Sequence, residues 1–396
     1  MTQTSGLRRH ALTTEHGARG VFAILASLAL LSALAAPAHA AKKYVFTKVA
    51  DSVADDFNPN SFTCASINTR GDVAFRAARR PSEDGIHRAD AGGGLTTIAE
   101  ATPGSGFGFF KGSVSMNDSG EVSFWAFLDL EQAIMRGDGT DLTTIAITTP
   151  EKFASFGDNT SINDSGEVAF DGQLQAGDLG LFSGTGVDTT THYLNSEDVL
   201  VDGNPARFDA TSDRPSINNL GNIAFMDSIQ GTFRRDIFVG QEGSFRTIPS
   251  PNQPDGPPVL NDGGTVAFQT SFLDDGGFSV RAIVKGDGVD PLTTVADSSG
   301  AFHIFLSQAI NNTGAVAFSA TLDSDELGIP SIFVGPSPKK DRVIGHGDKL
   351  DGARVAGLTF CEEGLNDSGA LTFIADLADP DAPDGRRVAV FRATPP

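Results

Sequence analysis

Cysteine occurs twice, tryptophan once, tyrosine twice and methionine four times in this chain of 396 residues. Two cysteines are too few for a disulfide-dense scaffold or a cysteine-rich zinc module. Basic residues are also scarce: 29 Lys and Arg stand against 50 Asp and Glu, a formal charge of −21. That deficit excludes partners that need a basic patch, nucleic acid and anionic membranes among them. Beyond residue 40 no apolar run approaches the ~18 residues that cross a bilayer. No long stretch there carries the periodicity of an amphipathic helix. An all-β chain with no membrane span is expected.

The first 40 residues read as a signal peptide and stand outside the fold. Arg8, Arg9 and Arg19 make a basic start, Val21 to Ala36 an apolar stretch, and Ala38-His39-Ala40 a small-x-small cleavage site. Residues 41–396 then form one mature domain with 26 basic and 49 acidic residues, a net charge of −23. Phe391 to Pro396 carry neither a hydrophobic tail nor a sorting signal. A secreted or periplasmic monomer is expected, its acidic surface serving first for solubility.

What is abundant is glycine, at 45 residues, and phenylalanine, at 29. Both fall into one repeat, Asn-x-x-Gly-x-φ-small-Phe, where φ is Val, Ile or Leu. It runs from Asn68 and Gly71 to Phe75, Asn117 and Gly120 to Phe124, Asn163 and Gly166 to Phe170, and Asn218 and Gly221 to Phe225. It continues from Asn261 and Gly264 to Phe268, Asn311 and Gly314 to Phe318, and Asn366 and Gly369 to Phe373. Asn suits the first position of a type I turn and Gly the fourth, where positive φ lets a hairpin return with the right twist. An apolar residue precedes every Asn: Ile67, Met116, Ile162, Ile217, Leu260, Ile310 and Leu365. Two more strands follow in most copies, one apolar and one Thr-rich, such as Leu142-Thr143-Thr144-Ile145-Ala146. Four antiparallel strands in about 50 residues make a propeller blade. The expected fold is a seven-bladed β-propeller.

The chain ends close the ring. Tyr44 to Asp51 resembles a fourth strand yet precedes the first motif, and the seventh repeat stops after the third-strand sequence Arg387 to Arg392. The N-terminal strand should complete the last blade and leave no open edge. Cys64 and Cys361 lie just before the first and last motifs, in blades that are then neighbours. They form either a disulfide that reinforces closure or a pair of small buried thiols.

The Asn-x-x-Gly-x-Val-x-Phe array resembles the bacterial exported family described as choice-of-anchor tandem-repeat NxxGxVxF proteins. The likeness covers essentially the whole mature chain, implies no established chemistry, and differs in that this chain ends without an anchor. A weaker likeness runs to the hairpins of TolB-type propellers and the Asp-box hairpins of sialidases, both matters of turn chemistry.

Catalytic signals are few. His87, His192, His303 and His346 follow no metal-ligand spacing, and no Gly-x-Ser-x-Gly elbow is present. No cofactor is implied. Calcium is the one metal with candidate ligands, Asp379, Asp381 and Asp384 in a Pro-rich acidic loop that lacks the EF-hand spacing. Asn117, Asn163 and Asn366 head Asn-x-Ser sequons, but the structural turn accounts for each. The expected ligand surface is the channel mouth formed by the loops into the first strands. These are Gly104 to Lys111, Glu151 to Asn159, Asn204 to Arg214, Pro249 to Pro258 and Gly352 to Glu363. Phe109, Phe110, Arg207, Asp213 and Arg214 are its candidate contacts, with Phe109 and Phe110 equally suited to plug the gap between blades. The leading reading is a non-catalytic binding or scaffold propeller that recognises an extracellular protein or polysaccharide. The alternatives are a glycoside hydrolase or lyase with carboxylates at the channel mouth, and a self-assembling surface protein.

Overall fold

A computed structural model describes residues 43–81, 83–186, 188–209, 214–325 and 327–396. The expected signal peptide, 1–40, lies outside the described residues. Seven sheets follow one another in chain order. Blade 2 is typical, with Phe107–Met116 innermost, then Val122–Leu128, Glu131–Gly137 and Leu142–Ile147. Among the described residues the one helical element is the short turn Pro383–Gly385, and no helix is long and apolar enough to cross a membrane.

The alternation within the motif assigns each strand face to a different neighbour. Val168 and Phe170 point into a cluster with Trp125, Ile134 and Ile145 of blade 2. Ala169, between them, points the other way, into the cluster with Phe208 and Phe225 of blade 4. Seven such clusters fill the seven seams, each holding one motif phenylalanine: Phe75, Phe124, Phe170, Phe225, Phe268, Phe318 or Phe373. Fully burying one such ring is worth ~1.5–3 kcal/mol. The core is therefore a set of seams between blades, and no blade owns a core of its own.

The seven turn glycines all take positive φ, between 77° and 87°. The asparagines do more than start the turn. In blade 3 the Asn163 side-chain oxygen accepts from the backbone N–H groups of Ser165 and Glu167, at 3.1 and 3.0 Å. Its Nδ2 donates across the seam to the carbonyl of Asn218, at 3.2 Å. The same donation runs from Asn68 to Asn117, Asn117 to Asn163, Asn218 to Asn261, Asn261 to Asn311 and Asn311 to Asn366, at 2.9 to 3.4 Å. Asn366 then donates to Asn68 at 2.8 Å, and the circle is complete. All seven side chains are buried.

Closure follows the expected route. Val45–Asp51 pairs antiparallel with Arg386–Thr394 as the outer strand of blade 7. Asp51, 2 % exposed, meets Arg387 Nη1 at 3.0 Å. Arg387 also holds Asp351 at 2.6 Å and Asp379 at 2.7 Å, while Lys48 bridges Asp51 and Asp351. Burial opposes ionisation of Asp51, but hydrogen bonds from Lys48, from the Ala54 and Val53 amides and from Arg387 outweigh it and hold its pKa at about 2. Blade 4 carries an addition that the sequence did not suggest. Val199–Val201 and Asn204–Ala206 form a ribbon on its outer edge, the former parallel to Ser244–Ile248.

Two substitutions test these contacts. Asn163→Ala removes a donor across a seam and three acceptor contacts within a turn, and should cost about 2–3 kcal/mol in denaturant unfolding. Arg387→Met leaves buried Asp51 with Lys48 as its one cationic partner, and should cost about 3 kcal/mol or more. A melting temperature unchanged in either variant would show that the contact adds nothing to stability.

Candidate functional site: the central channel

Residues at matching positions of the seven inner strands form rings around the axis. Beyond the Asn belt lie Thr69, Asp118, Asp164, Asn219, Asp262, Asn312 and Asp367, one after each Asn. These are linked too: the backbone N–H of each of the first six donates to the side-chain oxygen of the next, at 2.7 to 2.9 Å. Repulsion among Asp164, Asp262 and Asp367 is relieved by the two amides. Asn219 Nδ2 reaches Asp164 and Asp262 at 2.7 and 3.0 Å, and Asn312 Nδ2 reaches Asp262 and Asp367 at 2.8 and 3.0 Å.

The belt, this outer ring and the apolar residues that precede each Asn line a mouth cavity of about 150 Å³. One further residue lines it, Glu363. Below the apolar collar, Ser66, Ser115, Ser161 and Ser216 accept the backbone N–H of the next blade's collar residue, at 3.0 to 3.2 Å. The Ser115 and Ser161 hydroxyls hydrogen-bond to Glu363. On the far side of Glu363 lies a cavity of about 30 Å³, bounded by Arg214, Pro257, Pro258 and Glu362 among others. The carboxylate thus stands at the neck between two cavities, still accessible from the channel yet enclosed by protein. That burial raises its pKa, the charge of Glu362 adds to the rise, and the two serine hydroxyls oppose it; the result is about 7.

The turn Cys361 to Gly364 brings Glu363 to the axis. Blade 7's inner strand stops at Thr359, and the Gly364 N–H closes on the Cys361 carbonyl at 3.0 Å. Cys361 is joined to Cys64 of blade 1 in a disulfide with a Cα separation of 5.6 Å. Neither cysteine lies within a strand. The Glu363 carbonyl accepts from the Ile67 N–H at 3.0 Å, so backbone and disulfide together tie the turn across the last seam.

Of the sequence-predicted contacts, Arg214 reaches the channel, lining the smaller cavity and pairing with Glu362 at 3.3 Å. Asp213 lies outside the described residues. Phe110 is fully buried in the seam between blades 1 and 2. Phe109 is 39 % exposed and stacks on Phe127, and neither phenylalanine lines either channel cavity. Arg207 follows the outer ribbon of blade 4 and pairs there with Asp198, because a strand at the sheet edge replaces the loop expected at the axis. In the acidic loop, Asp379 accepts from Arg387 and from the Asp381 amide, and Asp384 sits in a turn at φ 60°. Among the described residues, the group of three metal-ligand types within 4.8 Å of one another is Cys64, Cys361 and Glu362, two of them spent in the disulfide. The sequons head no free side chain: Asn117, Asn163 and Asn366 belong to the buried belt.

Sequence reasoning missed Glu363. Its signal lies in the alignment of the repeats: three positions before Asn stand Ala65, Val114, Thr160, Pro215, Pro258 and Gln308, and then Glu363.

His87 and His192 are buried and neutral, each with a pKa lowered by burial to about 4. The His192 Nδ1 accepts from the Glu242 amide at 3.0 Å, so its Nε2 carries the proton and donates to Ser183 at 2.9 Å. Each histidine therefore contributes stability that is full above pH ~6.5 and lost as pH falls toward 4. Glu363 acts in the opposite sense, since its folded pKa is raised: its contribution is full below its ordinary value of 4.5 and lost as pH rises through 7. Between about pH 4.5 and 6.5 unfolding should take up a net of about one proton, a slope of ~1.4 kcal/mol per pH unit. Glu363→Gln should raise that slope to ~2.7 kcal/mol per pH unit. Denaturant titrations across this window check it, and equal slopes for the two proteins would remove Glu363 from the account.

No curated protein matches the chain. Among solved structures, the fold is similar to the β-propeller domain of the Trilobed protease from Pyrococcus furiosus, at 10 % identity and a TM-score of 0.41. That match covers 73 % of this chain and 99 % of the other. It is similar also to an acylaminoacyl peptidase from Pyrococcus horikoshii, at 11 % identity and 0.48, covering 81 % of this chain and half of the peptidase. A putative TolB from Agrobacterium tumefaciens is similar at 13 % identity and 0.39, covering 76 % of this chain and 95 % of that protein. In sequence, residues 45–293 and 260–396 match DUF7453, a family of unknown function, and the chain belongs to that family.

Proposed function

We propose that this protein is an exported, non-catalytic binding propeller that captures an extracellular protein or polysaccharide at the Asn-turn mouth of its channel. The observation that carries the reading is the mouth itself. A closed belt of asparagines and a six-link chain of outer-ring residues hold a polar rim in place before any ligand arrives, and a preorganised site avoids the ordering cost of binding. The apolar stretch at Val21 to Ala36 and the likeness of the repeat to the choice-of-anchor family support export.

One arrangement favours a hydrolase: Glu362 and Glu363 are adjacent carboxylates on one cavity, and the Glu363 pKa lies near neutrality. Against it, that cavity offers about 30 Å³, room for about two waters. Glu362 is also engaged by Arg214. A sugar ring has no seat between the two.

A thermal-shift screen of the mature protein against soluble polysaccharides and extracellular protein fractions tests the reading. A ligand at 100 times its Kd should add about 2.7 kcal/mol, with the ligand recovered intact. Release of new reducing ends from a bound polysaccharide would replace the binding module with an enzyme.

A further inference from the structure

We infer that the mouth cavity receives a primary ammonium on an unbranched aliphatic stem, the group that a lysyl side chain or a free polyamine presents, and seats it on Glu363. This rests on the binding reading above and names the chemistry that binds. Three layers of the cavity converge on it. The rim offers acceptor oxygens from the aspartates of the outer ring. The wall is the collar of seven apolar side chains, one from each blade. The floor carries one carboxylate, Glu363, beside the hydroxyls of Ser115 and Ser161.

The dimensions agree. Two residues along an inner strand separate the Asn belt from the serine layer, a depth of ~7 Å. Lysine carries its ammonium on a flexible four-carbon stem, which spans that depth with its methylenes against the collar. A cavity of about 150 Å³ is of the size that takes a guest as large as benzene, and butylammonium has fewer heavy atoms.

Other cations fit less well. A hard metal ion needs roughly six to eight oxygens, but the wall is hydrocarbon and Ser115 and Ser161 already accept N–H groups from Ile162 and Ile217. A guanidinium would press its fork of donors against the same hydrocarbon with one carboxylate to meet them. A neutral chain would leave Glu363 protonated and gain no charge pairing at the floor. Among the described residues, the charged groups that share these cavities with Glu363 are Asp118, Asp164, Asp262, Asp367 and Glu362, against the guanidinium of Arg214. The axis is therefore electronegative from rim to floor.

Isothermal titration of the mature chain with n-butylammonium, cadaverine, Nα-acetyl-lysine amide, calcium and neutral n-butanol tests this. The amines should bind, calcium and butanol should not, and Glu363→Gln should weaken the amines at least tenfold. At pH 6 amine binding should release a proton from Glu363, read as a dependence of the heat on buffer ionisation. Ile162→Phe, which fills the wall and spares the carboxylate, should also abolish binding. Cadaverine tighter than the capped lysine identifies a free polyamine as the source, and the reverse order identifies a protein lysine. Amine binding undiminished in Glu363→Gln, calcium binding that depends on Glu363, or no amine heat with wild type each overturns the inference. If a polysaccharide or protein still shifts the melting temperature in those cases, the broader binding reading stands; if none does, both fall.

Discussion

The bond on which the rest depends is the donation from each motif asparagine to the backbone carbonyl of the next. One side chain does two jobs with its two ends. The oxygen fixes the turn of its own blade, and the amide nitrogen measures the distance to the neighbour. Aspartate has no donor for the second job, and serine is too short to reach across while also holding its own turn. The repeat tolerates Ser, Val, Ala or Gly two positions earlier, but it keeps Asn in all seven copies. Because each donor is buried, the bond is made in low dielectric, where leaving it unmade is costly. Local turn geometry and ring circumference are thereby set by one residue type.

Much of this could be read from the sequence because a repeat reports on itself. The turn type, the four-strand blade, the outward-in alternation of Val, Ala and Phe, and the spare strand at Tyr44 to Asp51 all follow from local patterns. What stayed hidden was non-local. The partner of the Asn163 amide lies 55 residues away, and no pattern around Asn163 marks it. Phe109 and Phe110 are indistinguishable as sequence neighbours, yet the strand pleat buries one and leaves the other partly exposed. The loop Asp379 to Gly385 reads as a carboxylate cluster; in the fold Asp379 meets Arg387 within the cluster that closes blade 7. Loops into first strands generally lead to the axis, and the extra ribbon of blade 4 takes Arg207 away from it.

The site appears where the repeat is least regular. Six blades carry neutral residues three positions before Asn, and a channel built from them alone would be a polar mouth above an uncharged neck. In blade 7 the strand stops short, a turn replaces its end, and a carboxylate enters the axis. The disulfide binds that same turn to blade 1. One seam thus carries the covalent closure and the carboxylate at the neck. A ring of nearly equivalent blades supplies rigidity, and its one departure supplies chemical identity, within a family whose function is not yet defined.

The register of the closing strand has a mechanical meaning. Val45 lies opposite Thr394, and Asp51 opposite Ala389, so the chain enters and leaves the sheet at the same end. Tension applied between the two termini would load the ladder one rung at a time from Val45 inward, a zipper rather than a lap joint. The ionic cluster at Asp51 and Arg387 stands at the far end of that zipper and would bear force last. A load carried through one terminus and a ligand at the channel would instead pull through the whole ring of seams. The fold is thus compliant to stretching at its ends and stiff to pulling through its face, a mechanical asymmetry set by which strand completes the seventh blade.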